Sequence, residues 1–250
     1  MGTMQELDRG VERAMRVDLA AAFRLAVRLD LHEGVCNHLS AMLPDGKRFL
    51  LNRYGLHWSE VSASNLLALD AAGNVLEGEG GEFEKTAFYI HSRIHIANPR
   101  AACVLHTHMP YATALTLLEG GRLEMVEQNA LRFHDDIAYD DTYNGLVVDN
   151  AEGDRLARVL GAKRVVFLAN HGVIVVGPSV AEAFDALYYL ERACRLQVLA
   201  RSMSQKLRPI RQEVIQQTYK LMLADAPKYA GAHFDALKRI LDREEPGYSG

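Results

Sequence analysis

The amino-acid sequence predicts an α/β fold: a central, mostly antiparallel sheet flanked by helices and followed by a helical C-terminal tail. Short apolar and β-branched runs such as "VLHTH" (104–108) and "RVVFLANHGVIVVG" (164–177) alternate with segments of helical periodicity. Turn chemistry such as Pro44-Asp45-Gly46 reads as a hairpin connection. After Ser202 the composition becomes charged and helical. At 250 residues and 49% hydrophobic, the chain buries a large core as one domain, or one domain with an appendage. The expected division is 18–202 for the main domain and 203–250 for a helical extension, packed on that domain or on a neighbouring subunit.

The elements follow in order. "DLAAAFRLAVRLDL" (18–31) spaces its apolar residues as an amphipathic helix. A strand opens after Gly34, and residues 35–52 form a hairpin. A short helix, a strand at 66–70, an Ala72-Gly73-Asn74 turn and another strand come next. The glycine-rich "EGEGGEFEK" (77–85) matches neither GxGxxG nor GxxxxGK[ST], so it reads as a plain turn. Residues 86–98 are helical and stop at Pro99, and a strand spans 101–108. Pro110 begins a helix that Gly120 and Gly121 end. The stretch 122–150 is polar and irregular, with short strands near 136–139. A helix at 151–161 precedes either two strands or one broken at Gly172. Ser179 with Glu182 forms a capping box for a helix of about 22 residues. Helices at 211–224 and 231–243 complete the tail.

A formal charge of −4 without a long run of one sign excludes a broad basic surface for nucleic acid or anionic lipid. Small-molecule chemistry is the expectation. Cys36, Cys103 and Cys194 lie far apart without a CxxC pair, as reduced cytosolic thiols do. The first twenty residues are charged throughout, unlike a signal peptide, and no run reaches the roughly 18 apolar residues of a membrane span. The expected location is the cytoplasm, with no membrane partner.

His106 and His108 stand at i and i+2 of a strand, so both rings emerge on one face. Such a pair either grips a metal ion or lines a polar groove. His171, at the end of an apolar β run, is the candidate third ligand, and Gly172 after it permits close backbone approach. Three neutral imidazoles, with positions left for water or substrate, match catalytic zinc and some iron sites.

The segments "GVCNHLS" (34–40), "LNRYG" (51–55), "HSRIHIANPRAACVLHTH" (91–108) and "LANHGVIVVG" (168–177), in that order, make residues 18 to about 200 resemble the class II aldolase/adducin domain. The resemblance implies a three-layer α/β/α sandwich, a homotetramer with each active site near a subunit boundary, and His106, His108 and His171 as metal ligands. Zinc is the first expectation; Fe(II), Mn or Co are the alternatives. Asn37 and Ser40 match the family's phosphate-holding Gly-x-x-Asn-x-Ser loop, or else form a turn that satisfies its own backbone. Gly55 matches the glycine of a second such loop. That loop reads "NRYG" in place of Thr-Pro-x-Gly, which favours a non-phosphorylated substrate.

The family's acid/base glutamate would fall at Ala87, nineteen residues before His106, and Thr86 stands for the serine beside it. Either another group moves the proton, or the reaction is different. Glu84 is one candidate, with Glu82 nearby. His38 is another, since histidine titrates where acid/base work is done. His91 and His95 share a helix face as an ordinary buried pair or, by spacing alone, a metal pair. From the polar segment, Gln128 and Tyr139 are assigned to the pocket, with Arg132 and Tyr143 beside them, and a tyrosine of this region serves as proton donor in the family. His57 and Trp58 read as packing residues.

Three functions follow. The first is a metal-dependent lyase that stabilises an enediolate from a small hydroxy-carbonyl compound, for carbon–carbon cleavage, decarboxylation or epimerisation. The second is a non-haem Fe(II) oxygenase on the same histidines. The third is a non-catalytic, adducin-like binding domain.

Overall fold

The computed structural model describes residues 4–78 and 80–250. Eight strands form one sheet: β1 (His38–Met42), β2 (Arg48–Leu51), β3 (Leu67–Asp70), β4 (Val75–Glu77), β5 (Cys103–Thr107), β6 (Ile137–Asp140), β7 (Val165–Leu168) and β8 (Gly172–Gly177). Their spatial order is β4-β3-β2-β1-β5-β8-β7-β6. Every neighbouring pair is antiparallel except β6 and β7. Helix α4 (Asn150–Leu160) makes the crossover that this parallel pair requires.

Alternation along the strands divides the core between two faces. Leu39, Ala41, Leu105, Val173 and Val175 pack with α1 (Met4–Arg28), α3 (Pro110–Thr116), α5 (Val180–Ser202) and α6 (Gln212–Glu244). Val104, Val166, Leu168, Ile174 and Val176 pack with α2 (Lys85–Ala97) and α4. The result is the three-layer α/β/α sandwich expected. No described helix is long and apolar enough to cross a membrane.

Three helices differ from the sequence reading. Helix α1 starts at Met4 rather than near Asp18, because its charged first half is held by Arg16, which bonds Glu12 one turn back and reaches Glu77 on β4. It ends at Arg28, where Asp30 turns left-handed (φ 57°) and Leu31 N–H donates to the Ala26 carbonyl, the glycine-free form of a Schellman cap. The tail is one 33-residue helix rather than two, and Pro227 lies inside it. Pro227 removes one backbone donor, at a cost of about 3 kcal/mol in a helix interior. Ala230, Phe234 and Leu241 just beyond it are buried, with Phe234 on Phe184 of α5 (ring centroids 5.6 Å), so the helix continues across the proline. Helix α3 is shorter than expected and stops at Thr116, before the turn at Gly120.

Glu191 on α5 fixes the corner between β5 and α3. Its carboxylate accepts from the backbone N–H groups of Tyr111 and Ala112, both at 2.8 Å. Burial nevertheless raises its pKa to about 7, above the ordinary 4.5. The folded state therefore holds this proton more tightly than the unfolded chain. The associated stability is complete below about pH 4.5 and is lost as pH rises through about 7. Urea unfolding at pH 5 and pH 8 should show wild type losing on the order of 3 kcal/mol more than Glu191→Gln over that interval.

Candidate metal centre

Strands β1, β5 and β8 lie side by side at the middle of the sheet, and their register builds the site. His38 pairs across with His106, which in turn pairs with Ile174. His106 is buried on the face covered by α2 and α4. His108 lies one residue past the end of β5. His171 sits in the tight turn between β7 and β8, where Asn170 is left-handed (φ 56°) and donates its N–H to the Thr116 carbonyl. The turn sets His171 against the end of β5. The three ring centroids are separated by 5.0, 4.8 and 4.7 Å, and one nitrogen of each ring lies within 4.8 Å of the others.

Proton positions follow from the partners. His106 Nδ1 lies 3.0 Å from the Val173 carbonyl, which can only accept, so Nδ1 carries the proton and Nε2 a lone pair. His108 Nδ1 donates in the same way to the Glu33 carboxylate. Burial, then neighbouring rings, hold the His106 pKa well below the ordinary imidazole value, and burial with His108 lowers that of His171 to about 4. The Nε2 atoms of His106 and His108 face each other at 3.2 Å. With both rings neutral and protonated at Nδ1, two lone pairs would meet there, and these cannot hydrogen-bond to one another. Two imidazole nitrogens on one tetrahedral zinc, each at about 2.0–2.1 Å, stand about 3.3 Å apart. The donor set and its spacing fit a divalent ion, and the Val173 and Glu33 contacts are the outer partners that ligating histidines use.

A cavity of about 290 Å³ opens on this cluster, lined by His38, Thr86, Tyr143, Leu146, Asn170 and further residues. Not every residue singled out in the sequence reaches it. His38 lines it, with its ring 4.9 Å from that of His106. Thr86 lines it as well, its hydroxyl bonded to Glu84. Glu84 is the N-cap of α2 and accepts from Ala87 N–H at 2.8 Å, so its carboxylate is engaged by the helix. Ser40 is wholly buried between His91 and His95 rather than open to a ligand. Asn37 is left-handed (φ 72°), and its side-chain oxygen accepts from the His108 backbone N–H at 3.2 Å. Gly55 and Gln128 are exposed and absent from the lining. Tyr139 lines a separate cavity of about 480 Å³, with its hydroxyl accepting from Leu123 N–H and Arg122 over its ring.

Glu33 carries no local signature in the sequence, because its contact with His108 spans 75 positions. Tyr143 was grouped with the pocket residues, and the structure sets its ring 6.3 Å from that of His171.

An α/β/α sandwich with three converging imidazoles at its central strands defines a class, and the comparisons agree with it. The Class II Aldolase and Adducin N-terminal domain family matches residues 17–198, and the chain belongs to that family. A Caulobacter vibrioides protein provisionally named an aldolase class 2 protein is 33% identical over 236 residues, covering 94% of this chain and 91% of that protein. An adducin-related protein of Schizosaccharomyces pombe is 34% identical over 200 residues, 76% of this chain and 60% of its own length. Among solved structures, an aldolase II superfamily protein from Pseudomonas syringae superposes with TM-score 0.90 at 34% identity, covering 96% of each chain. L-fuculose 1-phosphate aldolase from Glaciozyma antarctica gives 0.83 at 25% identity, over 95% of this chain and 92% of that one.

Gly172 has no room for a side chain. A Cβ there would stand 2.6 Å from the Thr107 carbonyl oxygen and 2.7 Å from His108 Cδ2. Gly172→Ala should therefore push His108 aside, and Glu33→Gln should loosen its orientation. Each is expected to weaken zinc binding by about 10–100-fold in a competition titration against a chelating dye. Wild-type affinity in both would show that His108 is not a ligand.

Proposed function

We propose that the chain is a metal-dependent lyase for a small, non-phosphorylated hydroxy-carbonyl substrate, with His106, His108 and His171 holding a divalent ion, zinc first. The observation that carries this reading is the pair of Nε2 atoms facing each other at 3.2 Å, with the third imidazole beside them. A bound ion supplies Lewis-acid polarisation of a carbonyl and its neighbouring hydroxyl. The chain's own residues supply the rest. Thr86 and Tyr143 offer hydroxyls to the substrate, and Leu146 and Val147 supply an apolar wall. His38 exchanges the proton, in place of the carboxylate missing at Ala87.

A non-phosphorylated substrate is supported by the lining, in which no lysine or arginine stands among the described residues. Ser40, the loop hydroxyl that would meet a phosphate, is enclosed by histidines. The substrate's kinship to fuculose phosphate is therefore to the sugar rather than the phosphate. Tyr139 and Gln128, outside this cavity, are assigned to the site across a subunit boundary in a homotetramer.

Neutral ligands and an absent carboxylate also suit Fe(II) and oxygen, so metal identity is the measurement that separates the two chemistries. Purified protein should carry one zinc per chain by elemental analysis and lose it in His106→Ala and in His171→Ala. Chelation should abolish turnover of a panel of hydroxy-acids, ketoses and hydroxy-ketones, and zinc should restore it. Iron with oxygen consumption would select the oxygenase instead. Full metal content in both variants would overturn the site.

A further inference from the structure

Beneath the cavity a second set of histidines lies in one hydrogen-bonded line. His38 and Ser40 occupy one face of β1, two residues apart, and His91 and His95 stand one turn apart on α2. Two strand residues span about 6.8 Å and one helical turn about 5.4 Å, near enough for the two pairs to mesh. His38 Nδ1 is 2.7 Å from His91 Nε2, and His91 Nδ1 is bonded to Ser40 Oγ. Ser40 Oγ is 2.8 Å from His95 Nε2, and His95 Nδ1 is 2.6 Å from the Ala101 carbonyl. All four side chains are buried.

The far end of the line sets its direction. The Ala101 carbonyl only accepts, so His95 Nδ1 carries a proton and neutral His95 Nε2 must accept from the Ser40 hydroxyl. That uses the single proton of Ser40. His91 Nδ1 must then donate to Ser40 Oγ, which leaves His91 Nε2 to accept from His38 Nδ1. One nitrogen of His38 remains, Nε2, on the ring that lines the cavity.

We propose that His91, Ser40 and His95 are positioning residues that lock His38 in its Nδ1–H tautomer, so that it offers an unprotonated Nε2 to the cavity beside His106. The proposal rests on the cavity being an active site in which His38 is the base. There Nε2 takes a proton from a substrate carbon or hydroxyl, the electron pair stays on the substrate, and the same proton returns to a product fragment. No further reactant is needed. The opposite direction along the line would place N–H at Nε2, and His38 would have no lone pair to offer.

The test is nitrogen-15 NMR of histidine-labelled full-length protein, zinc-free and zinc-loaded, reading ring nitrogens through their carbon-bound protons. His38→Gln assigns the His38 signals. Wild type should show His38 with protonated Nδ1 and unprotonated Nε2. Ser40→Ala and His95→Leu should keep the circular dichroism of the fold and full zinc binding, yet shift His38 Nε2 to a protonated or averaged position. His95→Gln keeps an acceptor for Ser40 and a donor for Ala101, and should restore the wild-type pattern. A protonated Nε2 in wild type, or an unchanged tautomer in folded Ser40→Ala, overturns the proposal. Should His95→Leu fail to fold, Ser40→Ala decides alone. A wild-type protein that binds no metal would defeat the reading of the active site instead, and the zinc-free tautomer spectrum would still report on the lock.

Discussion

The register of three adjacent strands is the constraint on which the site depends. With β1, β5 and β8 antiparallel, His38 and His106 are direct cross-strand partners on one face, and Leu39 and Leu105 pair on the other. A slip of either strand by one residue would send its imidazole into the layer of Leu19, Phe23 and Phe184 and bring a leucine to the cavity. The apolar layers therefore do more than stabilise the sandwich. By burying one alternating set of residues completely, they oblige the other set to meet α2, α4 and the cavity. Gly172 and Asn170 then bring His171 to the end of β5, because only a residue without Cβ fits beside the Thr107 carbonyl and only a tight left-handed turn connects β7 to β8 there.

Burying so many imidazoles is tolerable because each nitrogen within the layer has a defined partner. An unpaired polar group in such a position costs about 1–3 kcal/mol. The line from His38 to Ala101 satisfies its nitrogens one after another, using a backbone carbonyl as the terminal acceptor. At the cavity the pattern changes, because the Nε2 atoms of His106 and His108 meet at 3.2 Å with the third imidazole beside them. Unpaired buried polar atoms also lie elsewhere, among them Trp58 Nε1, Ser92 Oγ and Arg132 Nε, so it is the convergence of imidazoles that marks the site.

The legible parts of the sequence were those governed by local rules. The i, i+2 spacing of His106 and His108, the Asn-His-Gly turn and the Ser179 cap each state their geometry within a few residues, and each is present. The hairpin of β1 and β2 and the paired strands β7 and β8 were readable from turn residues for the same reason. Helix α1 was read too short because its first half lacks an apolar stripe and is held by ion pairs to residues about 60 positions away. The tail reads as two helices in the sequence, yet α6 runs unbroken through Pro227, held by aromatic packing that lies outside any local window. Ser40 matches a ligand-holding loop or a self-satisfied turn in the sequence, and it lies enclosed between His91 and His95. The pairing of its strand period with the helical period of His91 and His95 was present in the sequence, but only the alignment of β1 under α2 reveals that they meet.

The exchange of a carboxylate for alanine at position 87 has an electrostatic consequence under the proposed reading. A glutamate at the cavity would set a negative charge against a divalent ion and lower the attraction left for substrate oxygens. Here the nearby groups are imidazoles, and among the described residues the carboxylate in contact with them, Glu33, accepts from His108 Nδ1 at the rim. The centre of the cavity therefore keeps a net positive character when loaded. A neutral histidine is the base that fits such a place, since it accepts a proton without first weakening the field that acidifies the substrate. The same field opposes the cation that results, which favours prompt return of the proton to product. An oriented, weakly basic imidazole beside a strongly polarising centre is thus a coherent replacement for a carboxylate. It also explains why the layer behind His38 invests three polar side chains in holding a single ring.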